Sequence, residues 1–216
     1  MKKLFLFAII AMFSFASCGL SSYVTEEQKT ELDAKLLRVK PYYKVSSNGI
    51  YVQKVVEVEN LSKEDIYIRL LEFMTKSYND AQEVIQVKDK EEGILVAKGC
   101  DRFYINEILQ GSGRQETAWH IFKAEIKEGR VRLTVSIESN MESYYAGSYV
   151  GSTYIAPNKS EYSILSCYPM VNKEKETDNY RSGYIFYYAT KGIVDLMNSA
   201  ESALTTQSAT STDDNW

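Results

Sequence analysis

Hydrophobic and polar positions change period several times along this chain, and each change marks an element. From residue 49, "GIYVQKVVEVENLS" sets Ile50, Val52, Val55, Val56 and Val58 among polar neighbours, a β-branched run that predicts a strand ending at Asn60. "SKEDIYIRLLEFMTKSY" follows, in which Ile66, Leu70 and Phe73, joined by Tyr67, Leu71 and Met74, recur at three and four residues. That spacing gives one apolar stripe on a helix of about four turns. Ser62 stands at the cap position with Asp65 three residues on, the order of a capping box.

Two paired runs come next. "EVIQVKDKEEGILVAKGC" predicts two short strands around an acidic turn at Gly93. "TAWHIFKAEIKEGRVRLTVSIES" is sharper, because a two-residue loop at Glu128-Gly129 fixes the register. Lys127 then faces Arg130, Ile126 pairs with Val131, Ala124 with Leu133, Phe122 with Val135 and His120 with Ile137. One face is apolar except for the histidine, while on the other Glu125 meets Arg132 and Lys123 meets Thr134, pairs that water tolerates. A last helix is expected from about Tyr184 through "YATKGIVDLMNSAESAL", with Ile193, Leu196, Met197, Ala200 and Leu204 as its stripe. Near the start, "TEEQKTELDAKLLRVK" has Thr25 and Gln28 placed as a capping box but few apolar residues. It predicts a short helix or tether and not a core element.

The strand, helix, two hairpins and final helix make an α+β domain, an antiparallel sheet of four to five strands with helices on one face. This β-α-β-β-β-β-α order, with "VVEVENLSKEDIYIRLLEFM" leading into "GILVAKGC", resembles the lipoprotein-associated domain of unknown function described as having a TATA-binding-protein-like (TBP-like) fold. The resemblance spans residues 50–139 and, loosely, the final helix. It implies the fold and brings no established activity or site.

The first residues carry an address. Lys2 and Lys3 precede an unbroken apolar run over residues 4–13, and the small residues Ser14, Ala16 and Ser17 lead to Cys18, the order of an export signal. Ten residues at about 1.5 Å each reach about 15 Å, half of the roughly 30 Å hydrocarbon core. "FASC" resembles a bacterial lipobox, with Phe15 where leucine is commonest. The resemblance implies acylation of Cys18 and cleavage just before it, and two acyl chains make a stable anchor; the other reading is an ordinary thiol in a normally cleaved signal. The expected layout is a signal peptide over 1–17, a lipidated N-terminus and tether over 18–45, a domain over 46–204 with a Tyr-rich insertion at 141–170, and a disordered tail over 205–216, "TTQSATSTDDNW". The expected place is the outer membrane facing the periplasm, with the cell surface as the alternative.

Composition narrows the partners. The 216 residues include 25 basic and 29 acidic side chains, a net charge of −4, more negative still without Lys2 and Lys3. No clustered basic footprint is present for nucleic acid, and "KDKEEG" and "NKEKETDN" read as solvated loops. With Cys18 used for lipid, Cys100 and Cys167 are a candidate disulfide, whose closure would stabilise by roughly 4 kcal/mol in the chain-entropy model; two separate buried thiols are the other reading. His120, the only histidine, is expected on the inner face. No catalytic residue, metal site or cofactor is expected: "GSG" at Gly111 to Gly113 lacks phosphate-loop spacing, and Glu91-Glu92 and Asp213-Asp214 sit in turns or tails.

The unusual stretch is "MESYYAGSYVGSTYIAP", where Tyr144, Tyr145, Tyr149 and Tyr154 stand among Gly and Ser. Such a mixture gives rigid contact area with adaptable hydrogen bonding, suited to a glycan, peptidoglycan or protein partner; the structural reading is a β insertion packed on the sheet edge. Two functions remain open: a non-catalytic envelope lipoprotein that binds or assembles, and an envelope hydrolase acting on glycan or cell-wall material through unrecognised carboxylates.

Overall fold

The computed structural model describes residues 24–78, 80–105, 114–138, 141–150 and 152–206. The apolar leader, Cys18, the "GSG" stretch at Gly111 to Gly113 and the tail beyond residue 206 lie outside the described residues. In chain order the elements are α1 (Glu26–Val39), β1 (Lys44–Val45), β2 (Gly49–Glu57), α2 (Lys63–Ser77), α3 (Ala81–Val84), β3 (Ile85–Asp89), β4 (Ile94–Tyr104), β5 (Arg114–Lys127), β6 (Arg130–Glu138), β7 (Met141–Tyr145), β8 (Ser148–Val150), β9 (Thr153–Ile155), β10 (Asn158–Tyr162) and α4 (Glu176–Thr205). A 3-10 turn, Ile164–Ser166, precedes α4.

The main sheet is antiparallel and runs β1-β2-β6-β5-β4-β3, with β7 and β10 added beside β5. The expected hairpin forms in the expected register: Lys127 faces Arg130, Ile126 Val131, Ala124 Leu133 and Phe122 Val135. Gly129 holds φ +67°, the left-handed conformation this turn needs. The ladder ends at Ile121 with Ser136, one step short of His120 and Ile137. Strand β5 then continues backwards and pairs Ala118 to Arg114 with β7, so one long strand serves two partners in succession.

All long helices cover one face. Phe122, Leu133, Val135 and Ile137 from the sheet are buried with Ile66, Leu70 and Met74 of α2 and with Phe186, Ile193, Met197 and Leu204 of α4, each worth about 1.5–3 kcal/mol when removed from water. Helix α2 starts as expected: Ser62 Oγ accepts from the Asp65 amide at 3.1 Å and the Asp65 carboxylate accepts from the Ser62 amide at 3.3 Å. No described helix is long and apolar enough to cross a membrane.

Two extents differ from expectation, and the insertion takes the β form of its structural reading. Helix α1 is a core element and not a tether, because Leu32, Leu36 and Val39 are buried at spacings of four and three, enough for a stripe that packs on α4. Helix α4 begins at Glu176 and ends at Thr205, since Tyr180, Tyr184 and Tyr187 are buried and extend its stripe toward the N-terminus. The insertion is β structure: β7 pairs with β10, and β8 with β9 forms a separate two-stranded ribbon beyond them.

Candidate functional site

Among the described residues, no long helix packs on the other sheet face, to which alternate strand residues point. On β4 the even positions face outward, opposite buried Leu95 and Ala97; on β5 the odd positions do, opposite buried Ala118, Phe122 and Ala124. Cross-strand pairing aligns Tyr104 of β4, Gln115 of β5, Tyr144 of β7 and Lys159 of β10 in one row. The next row holds Arg102, Thr117, Glu142 and Glu161. Tyr104 is 64% and Tyr144 45% exposed, and two strand spacings place them roughly 10 Å apart. The Tyr104 hydroxyl donates to Gln115 Oε1 at 3.1 Å, which ties the phenol to β5. One step on, Trp119 lies beside Cys100 with the Lys98 ammonium 5.6 Å from its ring centre.

Charges on this face neutralise one another. Lys159 lies 3.1 Å from Glu142, Lys123 3.3 Å from Glu125, and Arg132 3.5 Å from the same Glu125. Exposed pairs of this kind contribute at most about 1 kcal/mol each, but together they leave neither sign dominant.

The four tyrosines singled out by the sequence do not form one patch. Tyr144 and Tyr145 are neighbours on β7 and so point to opposite faces. Tyr154 pairs with Tyr149 in the β8–β9 ribbon. Tyr104 and Trp119, which complete the aromatic row and its flank, were not anticipated; carrying the hairpin register two residues past Ile121 assigns Trp119 to the polar face.

Cys100 and Cys167 are both free, so the candidate disulfide is not formed. Cys100 occupies an outward position on β4, whereas Cys167 is buried after the 3-10 turn on the helix side, and the sheet lies between them. Burial pushes the Cys167 thiol up to about 12 and also raises that of Cys100, which keeps both thiols protonated and unreactive.

On the helix side, directly behind the aromatic row, lies a polar cavity of about 210 Å³. Its floor is Glu116, whose side chain is 1% exposed. Ser143 donates to one carboxylate oxygen at 2.9 Å and Tyr162 to the other at 2.6 Å. Burial raises the Glu116 carboxyl above its ordinary range, opposed by the two hydroxyl donors and by Arg114 and Arg181. Burial and the neighbouring Glu116 charge raise the Tyr162 phenol. Lys173, Cys167 and Ile185 complete the wall. No spacing in the sequence announces this cavity, because its lining comes from β5, β7, β10, the loop before α4 and α4 itself.

His120 is 2% exposed. The Tyr78 hydroxyl lies 3.1 Å from its Nε2, and Asp101 Oδ2 lies 3.4 Å from its Nδ1. Burial raises the Tyr78 phenol, helped by the Asp101 charge. A Cβ at Gly99 would lie 2.4 Å from the Tyr78 ring, so the absence of a side chain lets that ring rest on the strand. The group ties the end of α2 to β4 and β5. Among the described residues, no three His, Cys, Asp or Glu are grouped to hold a metal.

A two-layer α+β domain with helices on one side and a bare antiparallel sheet on the other defines the class. Residues 53–137 match the family profile described as "Domain of unknown function (DUF4468) with TBP-like fold". The structure is similar to that of a DUF4468 family protein from Bacteroides ovatus ATCC 8483, with TM-score 0.52 and 13% identity over 76% of this chain and 91% of that one. A TBP-like protein from Parabacteroides distasonis ATCC 8503 gives TM-score 0.47 and 13% identity over 73% and 96% of the two chains. At such identity the first likeness shows the fold and no ligand. No curated protein matches.

Proposed function

We propose that this is a cell-envelope protein, anchored by acyl chains on Cys18 in the outer membrane, whose domain is a non-catalytic module that binds glycan on the bare sheet face. The observation that carries the reading is the exposed row of Tyr104, Gln115 and Tyr144, with Trp119 beside it. Aromatic rings on a rigid sheet offer flat amphipathic surface at low entropy cost. Gln115 stands between them and Arg102 in the next row as hydrogen-bonding groups, and the paired charges suit a ligand of little net charge. The cavity holds one carboxyl, whereas glycoside hydrolysis ordinarily uses two that flank the bond, so the arrangement favours binding over the hydrolase reading.

The test uses the chain with Cys18→Ser, to keep it free of lipid, against cell-wall glycan and neutral polysaccharides. Saturable binding that weakens at least about tenfold in Tyr104→Ala and Tyr144→Ala, with melting temperature unchanged, is the expected result; a tenfold change is about 1.4 kcal/mol. Binding that survives both substitutions would move the site elsewhere.

A further inference from the structure

The cavity behind the sheet inverts the charge balance of the molecule. In a chain with an excess of acidic residues, it gathers Arg114, Lys173 and Arg181 around one carboxyl. None of the three is closely neutralised. Arg114 Nε is 3.9 Å from Glu116, Arg181 Nη2 is 3.7 Å from Asp178, and Lys173 has no ion-pair partner among the described residues. Glu116 already accepts from two hydroxyls, so its oxygens are spent on holding β7 and β10 to β5. The exposed hydroxyl of Ser160, also on the cavity wall, is committed to no other group among the described residues.

We infer that this cavity is a binding site for a small oxyanion, a carboxylate or phosphate group, held by Arg114, Lys173 and Arg181 with Ser160 as a neutral donor. Size supports a small ligand: about 210 Å³ is the liquid volume of roughly seven waters, enough for a phosphate or a short carboxylic acid. Guanidinium groups match such oxygens in a planar, two-pronged way, and the apolar wall at Ile185 and Cys167 strengthens their field. The site opens on the helix side and is independent of glycan binding on the other face.

Glu116 gives the inference a signature. Its carboxylate opposes an incoming anion, so protonation favours binding. The groups facing it are Arg114 on the same strand, Tyr162 on β10, Cys167 after the 3-10 turn, Lys173 in the loop and Arg181 on α4. Burial raises both the Tyr162 phenol and the Cys167 thiol, so neither becomes charged between about pH 5 and 8.

Calorimetric titration of the purified full-length chain with inorganic phosphate, sulfate and succinate tests it, sulfate providing a probe of constant charge across that range. The expected result is saturable binding of at least one probe, weakened about tenfold in Lys173→Ala and in Arg181→Ala, in line with loss of a charge-assisted hydrogen bond. Sulfate binding is expected to weaken as pH rises in the natural protein, and to be tighter and less pH-dependent in Glu116→Gln. Phosphate and succinate arms tell which oxyanion class fits. No saturable binding at 10 mM probe, about the weakest affinity a built site would show, would overturn the inference. So would binding indifferent to Lys173 and Arg181, or weakened in a Glu116→Gln protein of normal melting temperature.

Discussion

At the scale of the residue, Glu116 has the largest consequences. A carboxyl whose folded value stands above its ordinary 4.5 favours the fold most at pH below that ordinary value and forfeits the advantage as pH rises through the folded one. Capping and ion-paired carboxylates such as Asp65 and Glu31 are shifted downward by their partners and act in the opposite sense, losing their contribution as pH falls. The informative quantity is therefore the difference between the natural protein and Glu116→Gln. Urea unfolding at about pH 5 and pH 8 should show the natural protein losing stability relative to the glutamine variant as pH rises; a constant difference would place the carboxyl in water. Sequence could not find this residue. In "RQETAW" Glu116 is one more acid on a strand, and only the packing of β10 and α4 over it removes it from solvent. His120 is the contrast, since the alternation of its own hairpin already assigns it to the inner face.

At the scale of the element, turns and caps were legible and long-range covers were not. The β5–β6 register follows from one short loop and two mutually consistent faces, and α2 follows from its cap and stripe. Replacing Ser62 with alanine should cost about 1 kcal/mol in thermal unfolding, since both halves of the capping box are made. Gly49→Ala should cost more. An added Cβ would lie 1.8 Å from the backbone oxygen of Ile137, which cannot swing aside as a side chain can, and the β2–β6 pairing would have to part. A loss of about 2–4 kcal/mol in denaturant unfolding is expected; a loss below 0.5 kcal/mol would mean the edge slides freely. Helix α1 was hard to read because three apolar residues among charges look like a solvated helix until α4 supplies the surface they pack on. The Tyr-rich segment was hard for a related reason. Its composition allowed a β insertion but not its register, and pairing of β7 with β5 divides Tyr144 and Tyr145 between faces.

At the scale of the whole molecule, the two layers hold the two proposed sites on opposite sides. The sheet offers an open face with several paired charges, and the helix side gathers Arg114, Lys173 and Arg181 at one cavity. The proposed anchor adds a third region. Cys18→Ala should abolish acylation and signal removal, seen as an unprocessed mass and as loss of the ordinary membrane fraction; unchanged mass and fractionation would exclude lipidation there.

The placement of α1 then has a consequence for reach. This helix lies on α4, within the helical layer, and Val24 just before it is 5% exposed. The span from residue 18 to residue 24 reaches roughly 20 Å when fully extended. On the proposed anchor, this leash holds the start of α1 within roughly 20 Å of the lipid.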